Sequence, residues 1–73
     1  MPLVQISVPA GSLTAEQKSE LVARITDVCV EVEGIPAIRQ ATWIHINEVP
    51  DGGWGSAGKT STLAEMRARL GVA

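Results

Sequence analysis

The stretch "PLVQISVPAGSLTAEQ", residues 2–17, contains the change of period that sets the architecture. Val4, Ile6 and Val8 alternate with Gln5 and Ser7, the two-residue repeat of a half-buried strand over Leu3–Val8. Pro9 and Gly11 end that strand. In "TAEQ", Thr14 is placed to cap the first free amides of a helix, and Gln17, three residues on, reaches back to complete a capping box. Beyond it the apolar repeat is helical. Leu21, Val22, Ile25, Val28, Cys29 and Val32 recur in steps of three and four, one stripe of a helix from Ala15 to about Glu33, with the charged residues mostly elsewhere. Gly34 suits the left-handed position past the helix end, and Pro36 keeps the helix from resuming.

Downstream, "ATWIHINEV" (41–49) alternates again, setting Thr42, Ile44, Ile46 and Glu48 against Ala41, Trp43, His45, Asn47 and Val49. This is a second strand, and its β-branched residues favour that reading. The segment between the strands is long enough for a helical crossover, so a parallel, right-handed βαβ unit is the expected topology. "PDGG" (50–53) makes a tight turn and "WGSAG" (54–58) a short extended or hairpin segment. A second capping box, Thr62 with Glu65, opens a brief final helix that Gly71 closes. The expected fold class is α/β (α+β), one domain over residues 1–73 with its sheet completed by oligomerisation.

Size argues for that last point. A chain of 73 residues buries only about 60% of its unfolded surface, a marginal core. Cys29 is the single cysteine and excludes an internal disulfide; with one histidine besides, a zinc site within one chain is not expected, nor any other metal. Both strands of a two-stranded sheet under one helix keep open edges, and the face away from the helix carries Trp43 and His45. Copies must therefore join or stack, and any pocket is assembled between subunits. Six basic against eight acidic residues, net −2, with no basic run, argue against nucleic acid as a partner. The apolar stretches fall far short of the roughly 20 residues that cross a bilayer, and the start lacks the blocks of a signal peptide, so a soluble cytoplasmic protein without a membrane partner is expected. The lone thiol fits a reducing compartment.

Met-Pro followed by a strand, a capped helix, a second strand and a Gly-aromatic-Gly turn resembles the tautomerase superfamily, specifically its short-chain 4-oxalocrotonate tautomerase group. The resemblance covers roughly residues 2–58 and rests on "PLVQISV", "LTAEQKSELVARITDV" and "GGWGSAG". It implies a βαβ fold, dimers with a four-stranded sheet, commonly a trimer of dimers, and an isomerase whose catalyst is an amino-terminal proline, with no cofactor. Removal of Met1 would turn Pro2 into a free secondary amine. An α-amine has a reference pKa of about 8, and an apolar pocket beside cations lowers it, leaving a neutral base near pH 7. Such an amine moves a proton between carbon and oxygen as both base and acid. It also has the nucleophilicity to attack a carbonyl. If Met1 is retained, Pro2 is blocked.

The resemblance implies two substrate-binding arginines, one in the first loop and one at the start of the second strand. Here the loop residue is replaced by Ser12 or Leu13, and the strand position, aligned on Glu48, holds Trp43, with Arg39 four residues earlier. Arg39 is the candidate carboxylate clamp through its two-pronged guanidinium, or else a solvated loop arginine. With one cation missing, a monoacid or an aromatic enol is the expected substrate rather than a diacid. Trp54, between glycines, matches the aromatic wall of the pocket, or is a subunit-contact tryptophan. Trp43, His45 and Asn47 share a face that lines the cavity or an interface, and Cys29 and Met66 read as packing.

The expected function is therefore a small oligomeric tautomerase acting on a 2-oxo or 2-hydroxy-dienoate or related carboxylic acid, with Pro2 catalytic and Arg39, Trp54, Trp43 and His45 binding substrate. The alternatives are a catalytically silent assembly or binding protein of the same fold, and a Pro2-dependent hydratase, dehalogenase or decarboxylase. The latter needs a water-activating acid, for which Glu48 and Asp51 are the available residues.

Overall fold

A computed structural model describes residues 2–72; Met1, on whose removal a free Pro2 amine depends, lies outside the described residues. The chain runs as strand β1 (Leu3–Pro9), helix α1 (Ala15–Glu33), a 3-10 turn (Pro36–Ala41), strand β2 (Trp43–Val49), hairpin strands β3 (Gly55–Ser56) and β4 (Lys59–Thr60), and helix α2 (Leu63–Leu70). β1 and β2 pair in parallel, from Leu3 opposite Trp43 to Pro9 opposite Val49, so α1 is the crossover of a βαβ unit. β1 continues one residue past Val8: the Ala10 N–H donates to the Val49 carbonyl at 2.8 Å, holding Pro9 in the ladder although it has no N–H of its own. β2 starts at Trp43 because Ala41 belongs to the 3-10 turn. Of that turn only Ala41 falls within the alternating stretch; "PAIRQ" before it has no repeat of its own. Pro36 fixes φ at its start, and the Thr42 hydroxyl closes its end by donating to the Ile38 carbonyl at 2.8 Å.

Both capping boxes form. At α1 the Thr14 N–H donates to Gln17 Oε1 at 2.9 Å and the Gln17 N–H to Thr14 Oγ1 at 3.1 Å. Gly34 ends the helix at φ 70°, with its N–H on the Val30 carbonyl at 2.9 Å. The apolar stripe of α1 divides in two. Leu21, Ile25 and Cys29 are half-buried beside Thr26, whose hydroxyl donates back to the Val22 carbonyl at 2.7 Å. Val22, Val28 and Val32 are exposed, Val32 by 79%. Strands lie about 4.8 Å apart, so two of them give a helix a floor narrower than this stripe. An ion pair between Lys18 and Glu48, 2.8 Å, ties the helix to β2.

In the sheet, Val4, Ile6, Ile44 and Ile46 are half-buried, while Leu3, Gln5, Ser7, Trp43, His45 and Asn47 are exposed, the alternation expected from sequence. Trp43, 65% exposed, lies opposite Leu3 in the register. Among the described residues no apolar side chain is fully buried, and Thr26 is the single buried residue. The radius of gyration is 15.2 Å, against about 11 Å for a compact domain of this length. The accessible surface is 5320 Å², roughly 1,000 Å² above a compact monomer of the same mass. A standard interface buries about 800 Å² per partner. The excess surface of one chain is thus of the size a stable association covers.

The α1 cap supports the helix that closes the βαβ unit, so Thr14→Ala is expected to lower stability by about 1 kcal/mol, read as a lower denaturation midpoint at fixed protein concentration.

Candidate active site

The carboxyl end of β1 and the loop that follows it border a cavity of about 650 Å³, within the range of small-molecule sites. Its apolar walls include Trp54, Leu63, Met66 and Leu70, and its polar lining includes Ser12, Gln17 and Arg67. Trp54 is set by the hairpin that follows it. Gly55 pairs with Thr60 and Ser56 with Lys59, leaving a two-residue turn in which Ala57 (φ 52°) and Gly58 (φ 79°) are both left-handed. The Trp54 carbonyl accepts from the Ser61 N–H at 2.8 Å. A Cβ on Gly55 would meet the Lys59 carbonyl oxygen at 2.8 Å, so glycine after Trp54 is what lets the two strands close.

Helix α2 forms the opposite wall and is held at several points. Its cap is the Thr62–Glu65 box, and Asp51 Oδ1 accepts from the Leu63 N–H at 2.8 Å. Farther along, Arg67 Nη2 donates to the Gly11 carbonyl at 3.2 Å, joining α2 to the loop between β1 and α1. The Ser12 hydroxyl, next in that loop, is buried without a hydrogen-bond partner among the described residues.

Pro2 is at the other end of the sheet. It is half-buried, and its carbonyl accepts from the Trp43 N–H at 3.0 Å, which fixes the chain start beside the first residue of β2. Trp43 and His45 follow on the outer sheet face, His45 opposite Gln5. Arg39 precedes them in the 3-10 turn, and its Nη2 pairs with Asp27 of α1 at 2.5 Å. The seven residues of β1 span about 23 Å. Within one chain, therefore, Pro2, Trp43 and His45 gather at one end of the slab, Trp54 stands at the other, and Arg39 does not line the Trp54 cavity. Glu48 is engaged by Lys18, and Asp51 by the start of α2. Among the described residues no group of three or more histidine, cysteine or acidic side chains is arranged to hold a metal, and no helix is long and apolar enough to cross a membrane.

Sequence reasoning missed the contribution of α2. Met66, read as packing, lines the cavity, and Arg67 and Leu63 line it too. The signal was present: Leu63, Met66, Arg67 and Leu70 lie at helical steps of three and four after the Thr62 cap, one face that needed an opposing surface.

Comparison with known proteins agrees with this architecture. The sequence model of the tautomerase enzyme family matches residues 2–64. A probable tautomerase of Dickeya dadantii is 36% identical over 69 residues, 93% of this chain and 98% of that protein. Among solved structures, one from a study of the 4-oxalocrotonate tautomerase isozymes of Methylibium petroleiphilum superposes with a TM-score of 0.70 at 30% identity, covering 81% of this chain and 90% of the other. DmpI from Helicobacter pylori superposes with a TM-score of 0.72 at 25% identity, covering 92% of this chain and 97% of its own. The chain belongs to the tautomerase family and has its α+β fold. It is a tautomerase-type enzyme, an isomerase.

Gly55→Ala is expected to open the hairpin and move Trp54, changing the tryptophan emission maximum and lowering the thermal midpoint. An unchanged emission spectrum would show that the Lys59 carbonyl yields to the added methyl.

Proposed function

We propose that copies of this chain associate so that Pro2 of one lies against the Trp54 cavity of another, and that Pro2, freed of Met1, is the proton-transfer catalyst. The observation that carries this reading is the separation of Pro2 and Trp54 to opposite ends of one short sheet. A two-fold axis makes like edges pair antiparallel. β1 of one copy beside β1 of the next then sets Pro2 of the first at the Pro9–Ser12 end of the second, where the cavity lies. The bare sheet edges, the exposed valines of α1 and the excess surface all support such an assembly.

In the composite site the Pro2 nitrogen takes the enol hydroxyl proton, the O–H bonding pair becomes the second bond of the carbonyl, and the C=C pair moves onto the far carbon. The same N–H then delivers its proton to carbon, giving the keto form and restoring the amine. Trp54 and the apolar wall exclude water and disfavour the protonated amine. Trp43 and His45 approach from the Pro2 side. Arg39 is within the same end of the fold and can exchange its exposed partner Asp27 for a substrate carboxylate, because pairs as exposed as this one are weak. The substrate is a 2-oxo or 2-hydroxy-dienoate or related carboxylic acid. A hydratase chemistry is disfavoured by Glu48 and Asp51, both of which are engaged within the fold and neither of which lines the Trp54 cavity.

Pro2→Ala is expected to lower kcat/KM for ketonisation of an enolpyruvate by at least about 100-fold, the usual contribution of a positioned acid–base group; ketonisation at the parent rate would refute the catalytic assignment and leave a fold-only role. Sedimentation should give a mass that is a multiple of 7.7 kDa, with activity falling as dilution dissociates the assembly. A fully active monomer would refute the composite site.

A further inference from the structure

One corner of the Trp54 cavity sets a guanidinium beside a buried hydroxyl. Among its described lining residues Arg67 is the single charged side chain, and no acid accompanies it. Its guanidinium is steadied by the Gly11 carbonyl at 3.2 Å, which uses one of five N–H donors and leaves a fork for a carboxylate. A guanidinium already held in place loses less freedom when it binds. Beside it, the Ser12 hydroxyl is buried with no partner among the described residues. Such a group calls for an acceptor or donor to complete it. Lys18 pairs with Glu48 and Arg24 with Glu20, and none of these four residues lines the cavity.

Placement along the chain adds to this. The first loop lacks the arginine that the family resemblance implies, having Ser12 and Leu13 instead. Arg67 comes from α2, beyond residue 64 where the family match ends, yet it docks onto the residue preceding Ser12. A guanidinium is thus returned to that loop through space, from a different element of the fold. The other walls include Trp54, Met66 and Leu70, which suit an apolar or aromatic group better than a second carboxylate.

We infer that Arg67, with the Ser12 hydroxyl, binds the carboxylate of a monoacid substrate whose apolar portion rests on Trp54 and Met66. This rests on the composite site proposed above, since the reacting carbon must be carried from this corner to Pro2 of the neighbouring copy.

The test compares phenylenolpyruvate with its methyl ester in the full-length assembled protein. Arg67→Gln is expected to raise KM for the acid by about 10-fold or more, the loss of a bidentate charged contact, while changing KM for the ester less than about 3-fold and leaving kcat near the parent value. Arg67→Lys keeps a donor for the Gly11 carbonyl and so preserves the clamp between α2 and the loop. It is expected to raise KM for the acid by about 5-fold, since an ammonium lacks the fork. Equal losses on acid and ester in either variant would make Arg67 a purely structural clamp and overturn the inference, as would an unchanged KM for the acid. Calorimetric titration with phenylpyruvate separates this inference from the catalytic one. Pro2→Ala should bind phenylpyruvate as the parent does, and Arg67→Lys should bind it more weakly even if neither enol is turned over. Equal binding by the parent and the Arg67→Lys variant, or none by the parent, would also overturn the inference, whatever Pro2 does.

Discussion

The parallel ladder between β1 and β2 is the constraint on which everything else depends. Seven paired positions fix the length of the slab, hold Pro2 at one end through the Trp43 amide, and carry the Trp54 hairpin at the other. A strand cannot shorten without losing its hydrogen bonds, so the two ends stay about 23 Å apart. Chemistry that needs both must borrow one of them from another copy. The marginal core and the separation of Pro2 from Trp54 are thus two consequences of one small sheet.

Local order is strong where global packing is weak. Both helices start at complete capping boxes and end at left-handed glycines, which lets short elements form with few buried partners. The same economy leaves Val28 and Val32 in solvent and no apolar side chain fully buried among the described residues. Sequence patterning read the apolar positions of α1 as one stripe to be buried, whereas one two-stranded sheet covers only its Leu21, Ile25 and Cys29 side and leaves Val22, Val28 and Val32 exposed.

Helix α2 links stability to the site. Asp51 fixes its first turn, and Arg67 ties its later turn to the first loop, so one helix closes a wall of the cavity and brings a cation to it. Trp54 faces that wall because its carbonyl and the glycine after it are locked into a two-stranded hairpin. The arrangement explains how a chain without an arginine in its first loop keeps a positive group there.

The strand and helix positions, both capping boxes, the parallel crossover and the outward placement of Trp43 and His45 were legible in the sequence, because period and capping depend on residues a few positions apart. The family, too, could be read from "PLVQISV", the capped helix and "GGWGSAG". The 3-10 turn over Pro36–Ala41 was not legible, since "PAIRQA" carries neither a period of two nor a helical repeat and only backbone hydrogen bonds define the turn. Tertiary structure alone decided that Arg39 meets Asp27 and that Arg67 reaches Gly11, 56 residues away. Side chains that long choose partners by the distance between elements, and no local pattern in the chain encodes that distance.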